Sequence, residues 1–479
     1  MPSALSLSLS LLGASFAAAS VLPGLPDKIY GVNLGSWLVL EAWMLPAGSP
    51  SSTILNLLSL TVSKEWIAMG GQQCDDCSQC IATEFAFAEA YPDTVDQKFK
   101  THWETWFNQP DVDQLVASGI NTVRVPLGYW IVEPLVNRAT EFYPRGGILQ
   151  LQRGLKQLKD AGIAVILDHH ALPGVASPGQ MFAGRCTNDV EFYTQPNYHR
   201  ALIWTAVMTA LSHLDSNFAT VAAIEAMNEP IMDANQTPDL GDFQKNFVQV
   251  VRAVEWSLGI PVPGYSPLSS SALGNATFSF STAAGSSFFN SEVRQVLEDA
   301  IPVFTKVAQQ IGLVPDLSSL FKKRKPLVTT FMDVNWQHNN PANPANAAAG
   351  PQGYDNHLYY SFGGVADANE NAYMTSICNL NRVQADAALG NSPLWFGEWG
   401  LPTQFDASDE FLVKWADAQK LAYSKGAGWI FWNFKVEISD LAGDTARQWS
   451  YAEGLRRGYL TQDPSKLHDP NVCAPYVQQ

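Results

Sequence analysis

Eight short apolar runs punctuate the chain, each separated from the next by helical sequence. They are Ile29–Leu34, Thr122–Pro126, Ala164–Asp168, Ala222–Met227, Leu327–Met332, Asn356–Tyr360, Leu394–Glu398 and Trp429–Trp432. Amphipathic stretches lie between them, such as Gly147–Asp160, with Leu149, Leu151, Leu155 and Leu158 apolar, and Phe411–Ser424. Eight strands alternating with helices predict a parallel (β/α)8 TIM barrel of the α/β class. An open doubly wound sheet is the alternative, but it calls for a glycine-rich phosphate loop. The one glycine pair of that kind, in GGQQCDDC (70–77), follows helical sequence rather than a strand.

Polar residues gather where these strands are expected to end: Asn33, Arg124, His169, His170, Asn228, Glu229, His357, Tyr359, Glu398 and Trp432. A parallel barrel brings all its strand C-termini to one mouth, so these side chains should converge. Two carboxylates stand out. Glu229 closes the fourth strand in IEAMNEP (224–230), and Glu398 closes the seventh in LWFGEWG (394–400). A carboxylate beside a hydrophobic strand is costly to bury unless something uses it. Two of them facing each other across a barrel mouth suit glycoside hydrolysis, where one protonates the departing oxygen and the other attacks carbon or activates water. The plainer alternative makes both glutamates buried ion-pair partners of Arg124 or a lysine; their place in a whole constellation of strand-end polar groups favours chemistry.

Charge and cysteines bound the setting. With 29 Lys+Arg against 45 Asp+Glu, a net charge of −16, the surface repels phosphate backbones and anionic lipid. Nucleic acid and membrane surfaces are therefore not expected partners, and a monomer is expected. The acidity serves solubility, while the 15 tryptophans offer faces that stack on sugars as well as core. Residues 1–20 read as a signal peptide, apolar from Ala4 to Ala19, with small residues Ala18-Ala19-Ser20 before Val21 and too short to span a bilayer. Six cysteines in an exported chain suggest three disulfides. Cys74, Cys77 and Cys80 cluster in CDDCSQC, whereas Cys186, Cys378 and Cys473 are scattered. A zinc site would need a fourth ligand that is not near in sequence. One arrangement joins Cys378 to Cys473, tethering the C-terminal tail, Cys186 to one of the cluster, and the remaining two to each other.

The order of the motifs resembles glycoside hydrolase family 5 of clan A, and within it the fungal exo-β-1,3-glucanases. The blocks are GVNLGSWLVLEAWM (31–44), HWETWF (102–107), GINTVRVPLGYW (119–130), LDHHALPG (167–174), IEAMNEP (224–230), DNHLYYSF (355–362), FGEWG (396–400) and GWIFWNFKVE (428–437), with RQWSYAEGL (447–455) weaker. The resemblance implies a retaining mechanism with Glu229 as acid/base and Glu398 as nucleophile, and no cofactor or metal. Glu229 must start with a proton, which the negative charge of Glu398 favours, and Glu398 stays ionised if Arg124 and Tyr359 donate to it. Asn228 would bind the sugar 2-hydroxyl, and His170 and His357 would line the −1 subsite. Glu41 would grip hydroxyls of a terminal glucose, Trp432 would form the floor beneath it, and Phe362 would supply one wall of an aromatic clamp. His169 replaces a leucine of the pattern. Trp37, Trp43, Trp130 and Trp399 suit either platform or core.

Residues 21–479 thus read as one elaborated barrel domain with insertions near 45–100 and 259–325. The second holds the Ser/Ala/Gly-rich SSSALGNATFSFSTAAGSS and a helical segment at Ser291–Gly312. Asn235 and Asn275 lie in glycosylation sequons. The reading is a secreted exo-acting enzyme that releases glucose from β-1,3-glucan. The alternatives are the same chemistry on another β-glucoside (a rutinosidase-like diglycosidase or a β-1,6-glucanase), or a non-catalytic glucan-binding wall protein.

Overall fold

The computed structural model describes residues 22–45, 65–72, 74–266, 280–313, 324–336, 342–438 and 443–477. The expected signal peptide at 1–20, the sequon at Asn275 and parts of both insertions lie outside them. Eight parallel strands close into a barrel in chain order: β1 (Ile29–Asn33), β2 (Thr122–Gly128), β3 (Ala164–Ala171), β4 (Val221–Glu225), β5 (Val328–Met332), β6 (Gln352–His357), β7 (Leu394–Glu398) and β8 (Gly428–Phe431). The barrel closes where β1 pairs with β8, Ile29 opposite Gly428 and Val32 opposite Phe431.

Strand periodicity divides the core into two environments. In β3, Val165, Leu167 and His169 point outward to the helices, and Ile166, Asp168 and His170 point inward. The bottom of the interior is apolar, filled by Ile29, Ile166, Ala223, Val328, Trp395 and Ile430. Above that layer the inward positions turn polar: Asn33, Arg124, Asp168, Glu225 and Asp355 are all fully buried. The sequence pattern is therefore mostly hydrophobic outside the sheet, with exceptions such as His169 and Asn356, and hydrophobic inside it only at the base.

Two strands depart from expectation. β4 ends at Glu225, so Glu229 stands four residues beyond the strand, in a loop. Its backbone is left-handed (φ 37°), a conformation that costs a non-glycine residue energy and persists where neighbours hold it. β6 lies at Gln352–His357 rather than 356–360, because Pro351 and Gly353 hide a run whose six residues are all buried. Gly353 is required there, since a Cβ would meet the Trp395 ring at 2.3 Å. In the helix Gly147–Asp160, Leu151, Leu155 and Leu158 are buried as expected but Leu149 is exposed.

The second insertion has a structural use. Helix Gln195–Leu214 is buried nearly all round, and helix Ser291–Gln310 packs over it. His199 joins the two, Nδ1 at 2.8 Å from Glu292 and Nε2 at 3.0 Å from Asp299. The cysteines form Cys74–Cys80, Cys77–Cys186 and Cys378–Cys473 bridges, which leaves no thiolate for a zinc site. Among the described residues, no helix is long and apolar enough to cross a membrane.

Candidate active site

Arg124 of β2 is buried beneath the barrel mouth and reaches groups from most of the barrel. Nε donates to Glu225 (2.9 Å), Nη1 to Glu398 (2.9 Å) and Asn33 (3.1 Å), and Nη2 to Asn228 (2.9 Å). Asp168 lies 3.1 Å from Nη2 and Asp355 3.6 Å from Nε. Burial works against its charge, but Asp168, Glu225, Glu398 and Asp355 hold the guanidinium protonated. Register supplies the convergence: Asn33 pairs with Arg124 and Asp168 with Glu225 across neighbouring strands.

Glu398 and Glu229 meet above this base. An oxygen of each carboxylate and a His357 ring nitrogen all lie within 4.8 Å of one another. Glu398 Oε1 accepts from Arg124, and its Oε2 accepts from the Tyr359 hydroxyl at 2.9 Å. Burial pushes the Glu398 carboxyl up, against His357, Arg124 and Tyr359, which favour its ionised form. His357 Nδ1 lies 2.7 Å from Glu229 Oε1 and 3.4 Å from Glu398 Oε2. Burial pulls this imidazole down, yet Glu398, Asp355 and Glu229 together hold it well above its ordinary value.

The glycine of FGEWG is dictated by this cluster. The Gly397 N–H donates to Asp355 Oδ1 at 2.6 Å, and a Cβ there would sit 2.0 Å from the other oxygen. A shift in the β6–β7 pairing at Asn356/His357 then sets His357 beside Glu398.

A cavity of about 690 Å³ opens over the pair. Glu41 lines it at 5% exposure and accepts from the Trp43 indole at 2.9 Å; burial pushes its carboxyl up to about 8. His170 lies flat against Trp432 (ring centroids 5.6 Å apart, 9° between planes), its Nδ1 2.6 Å from Asp168, and burial holds it neutral. Phe362 stands at the rim, 77% exposed. Of the ambiguous tryptophans, Trp43 lines the cavity, whereas Trp37, Trp130 and Trp399 are core. Arg124 touches Glu398 but not Glu229, whose partner is His357.

Sequence reasoning missed several wall residues, among them Ser177, Pro178, Gln180, Ile231, Met232, Trp336 and Trp449. Trp449 carried a signal, lying in the weak RQWSYAEGL block, and it packs on Trp43 and Tyr359. Trp336 and the 177–180 stretch lie in loops with no periodicity to read.

Residues 89–437 match the family model described as Cellulase (glycosyl hydrolase family 5). A glucan endo-1,6-beta-glucosidase B from Emericella nidulans is 27% identical over 93% of this chain and 88% of its own length. A glucan 1,3-beta-glucosidase from Blumeria graminis is 28% identical over 49% of this chain and 51% of its own. Among solved structures, a rutinosidase from Aspergillus niger superposes with a TM-score of 0.55 at 16% identity, over 91% of this chain and 99% of that one, which shows a shared fold.

His169 provides a test of the inward–outward division. Its ring stacks on Trp204 (centroids 3.9 Å, 14°), outside the barrel, and neither ring nitrogen has a hydrogen-bond partner among the described residues. Burial depresses it from 6.5 to about 3. A depressed histidine contributes its stability above the unfolded value and loses it as pH falls. His169→Leu should therefore gain about 1–2 kcal/mol at pH 7 in denaturant unfolding. The gain should widen by about 1.4 kcal/mol per unit as pH drops from 6.5 towards 3. A variant less stable than wild type at both pH 7 and pH 5 would mean that His169 has a polar partner.

Proposed function

Because the chain belongs to glycosyl hydrolase family 5, we propose that it hydrolyses β-1,6-linked glucan with retention, Glu398 acting as nucleophile and Glu229 as acid/base. The supporting observation is the carboxylate spacing. Oxygens of the two groups lie within 4.8 Å, where a retaining pair stands about 5–5.5 Å apart and an inverting pair needs about 6.5–9.5 Å to admit water. Glu398 attacks the anomeric carbon as the bond to the glycosidic oxygen breaks, and that oxygen takes the proton of Glu229. Glu229 then removes a proton from water, which displaces Glu398. Arg124 and Tyr359 hold one oxygen of Glu398 each, so the attacking group is fixed before sugar arrives. Asn228 spends its carbonyl on Arg124, leaving its amide N–H groups for the sugar 2-hydroxyl. Trp432 supplies the floor, and His170, His357, Glu41 and Phe362 the surrounding contacts. The disulfides support an oxidising, exported location, with exposed Asn235 as a glycan acceptor.

The linkage rests on the relatives: those named endo-1,6-beta-glucosidase align along nearly the whole chain, the 1,3-beta-glucosidase along half. A second reading, exo-acting cleavage of β-1,3-glucan, is favoured by Glu41 and Trp43. A carboxylate at 5% exposure would accept from hydroxyls free only on a terminal sugar, and a longer chain would leave it unpaired at a cost of about 1–3 kcal/mol. Sugar release from pustulan, laminarin and rutin side by side separates these. Fastest release from pustulan, with oligosaccharides of mixed length first, is expected. Glucose alone from laminarin establishes the second reading, and preference for rutin a diglycosidase.

Two variants test the roles. Glu398→Gly should lose turnover by about ten-thousand-fold or more while staying folded, and azide should restore cleavage of aryl β-glucosides as the α-glycosyl azide. Wild-type activity without azide removes Glu398 from the mechanism. Tyr359→Phe loses a donor that favours ionised Glu398. Activity falls as pH drops and Glu398 takes up a proton, so the acid limb of kcat/KM should move up by about one unit. An unmoved limb assigns that titration to another group.

A further inference from the structure

We infer that the Cys77–Cys186 disulfide is a latch that positions the leaving-group wall of the cavity and so governs binding of the glucan chain; this rests on Glu229 being the acid. A group that protonates the departing oxygen faces the leaving group, so the wall against Glu229 is the wall of the aglycone side. That wall is the segment after β3. Ser177, Pro178, Gln180 and Phe182 line the cavity, the Ser177 hydroxyl donates to the Glu229 carbonyl at 2.7 Å, and Phe182 meets His170 edge-on at 5.5 Å.

The wall has little regular structure of its own. Its one helical turn is Met181–Ala183, and its internal closure is the Gly179 N–H donating to Thr187 at 2.8 Å, above the Glu191–Gly174 bond at its neck. Its outward holds run to the insertion after β1. The Phe85 N–H donates to the Gly184 carbonyl at 3.2 Å, the Arg185 guanidinium lies 4.5 Å over the Phe85 ring, and Cys186 is bonded to Cys77. Both ends of that connection are stiff. Cys77 begins a turn closed by Cys74–Cys80 and capped by Asp76, which accepts from the Ser78 N–H. Phe85 is wedged between Phe142 and Tyr143. Gly184 is left-handed (φ 77°) and lies so close to Trp130 that a Cβ would sit 2.2 Å from its ring. The segment therefore presses down on Trp130 while the disulfide holds it from outside. Cutting the bond leaves the −1 side, built on barrel strands, intact and frees the wall.

Substrate size reads this out. β-Glucosyl fluoride has a one-atom leaving group that reaches no sugar subsite, whereas pustulan (or laminarin, should wild type prefer it) needs the wall. In Cys77→Ser/Cys186→Ser, KM for the glucan should rise about tenfold while kcat/KM on the fluoride stays within about twofold, since ordering a few side chains costs about that much binding. Cys77→Val/Cys186→Ala, which refills the space, should give the same split. Amide exchange should quicken across residues 177–187 and stay unchanged in the barrel strands. Parallel losses on both substrates, or an unchanged glucan KM, overturn the latch. If wild type cleaves neither substrate, the retaining reading falls, and exchange alone judges the latch: unchanged rates across 177–187 refute it.

Discussion

One guanidinium with no exposure to solvent holds together polar groups from five other strands of this barrel. Arg124 touches Asn33 of β1, Asp168 of β3, Glu225 of β4, Asp355 of β6 and Glu398 of β7 from its own place on β2. Such a charge is expensive to bury unless each donor is satisfied, and four carboxylates around one cation exceed its charge. Burial answers the excess by pushing Asp168 and Glu225 up, while His357 joins Arg124 in favouring the ionised form of Glu398. Breaking a buried network of this kind by removing one partner costs about 3–5 kcal/mol. The site is therefore built on a stability constraint: the group that aims Glu398 also holds the upper barrel together.

Above Arg124, position separates two chemically identical side chains. Glu398 sits at the end of a strand, gripped by Arg124 and Tyr359 on separate oxygens. Glu229 stands in a loop, its carbonyl fixed by Ser177 and its carboxyl by protonated His357. A nucleophile needs a fixed line of attack, and an acid/base must hold and release a proton. The firmly held carboxylate and the loop-borne one match those two demands. Everything beneath the pair belongs to rigid strands, while the wall on the Glu229 side belongs to loops and depends on a disulfide.

What could be read from the amino acids followed how locally each feature was encoded. β7 falls at Leu394–Glu398 as expected, because LWFGE is a bare apolar run ending in its functional residue. The alternation of apolar runs and helices was enough for the barrel. Gln352–His357 was obscured because its inward residues are polar or glycine, as the cluster around Arg124 demands; buried polar strands do not look like strands. Glu229 was found by its motif but misplaced onto β4, since the apolar Ala226 and Met227 between Glu225 and Asn228 disguise where the pairing stops. Trp336 reaches the cavity from a loop whose course is set by tertiary packing, which no short pattern records, and Trp449 from the end of the helix Gly443–Trp449 in a block only weakly matched. His169 was set aside as a departure from a pattern, and its place outside the sheet explains why: the alternation along β3 turns it to the helices.

The claim on which the mechanism stands is that the two carboxylates are too close for an inverting water. The stereochemistry of the first product measures this directly. Following the anomeric proton by NMR during the first turnovers of a β-linked glucoside should show the β-anomer accumulating ahead of mutarotation. An α-anomer appearing first would contradict the account, because it would require water to enter between Glu229 and Glu398.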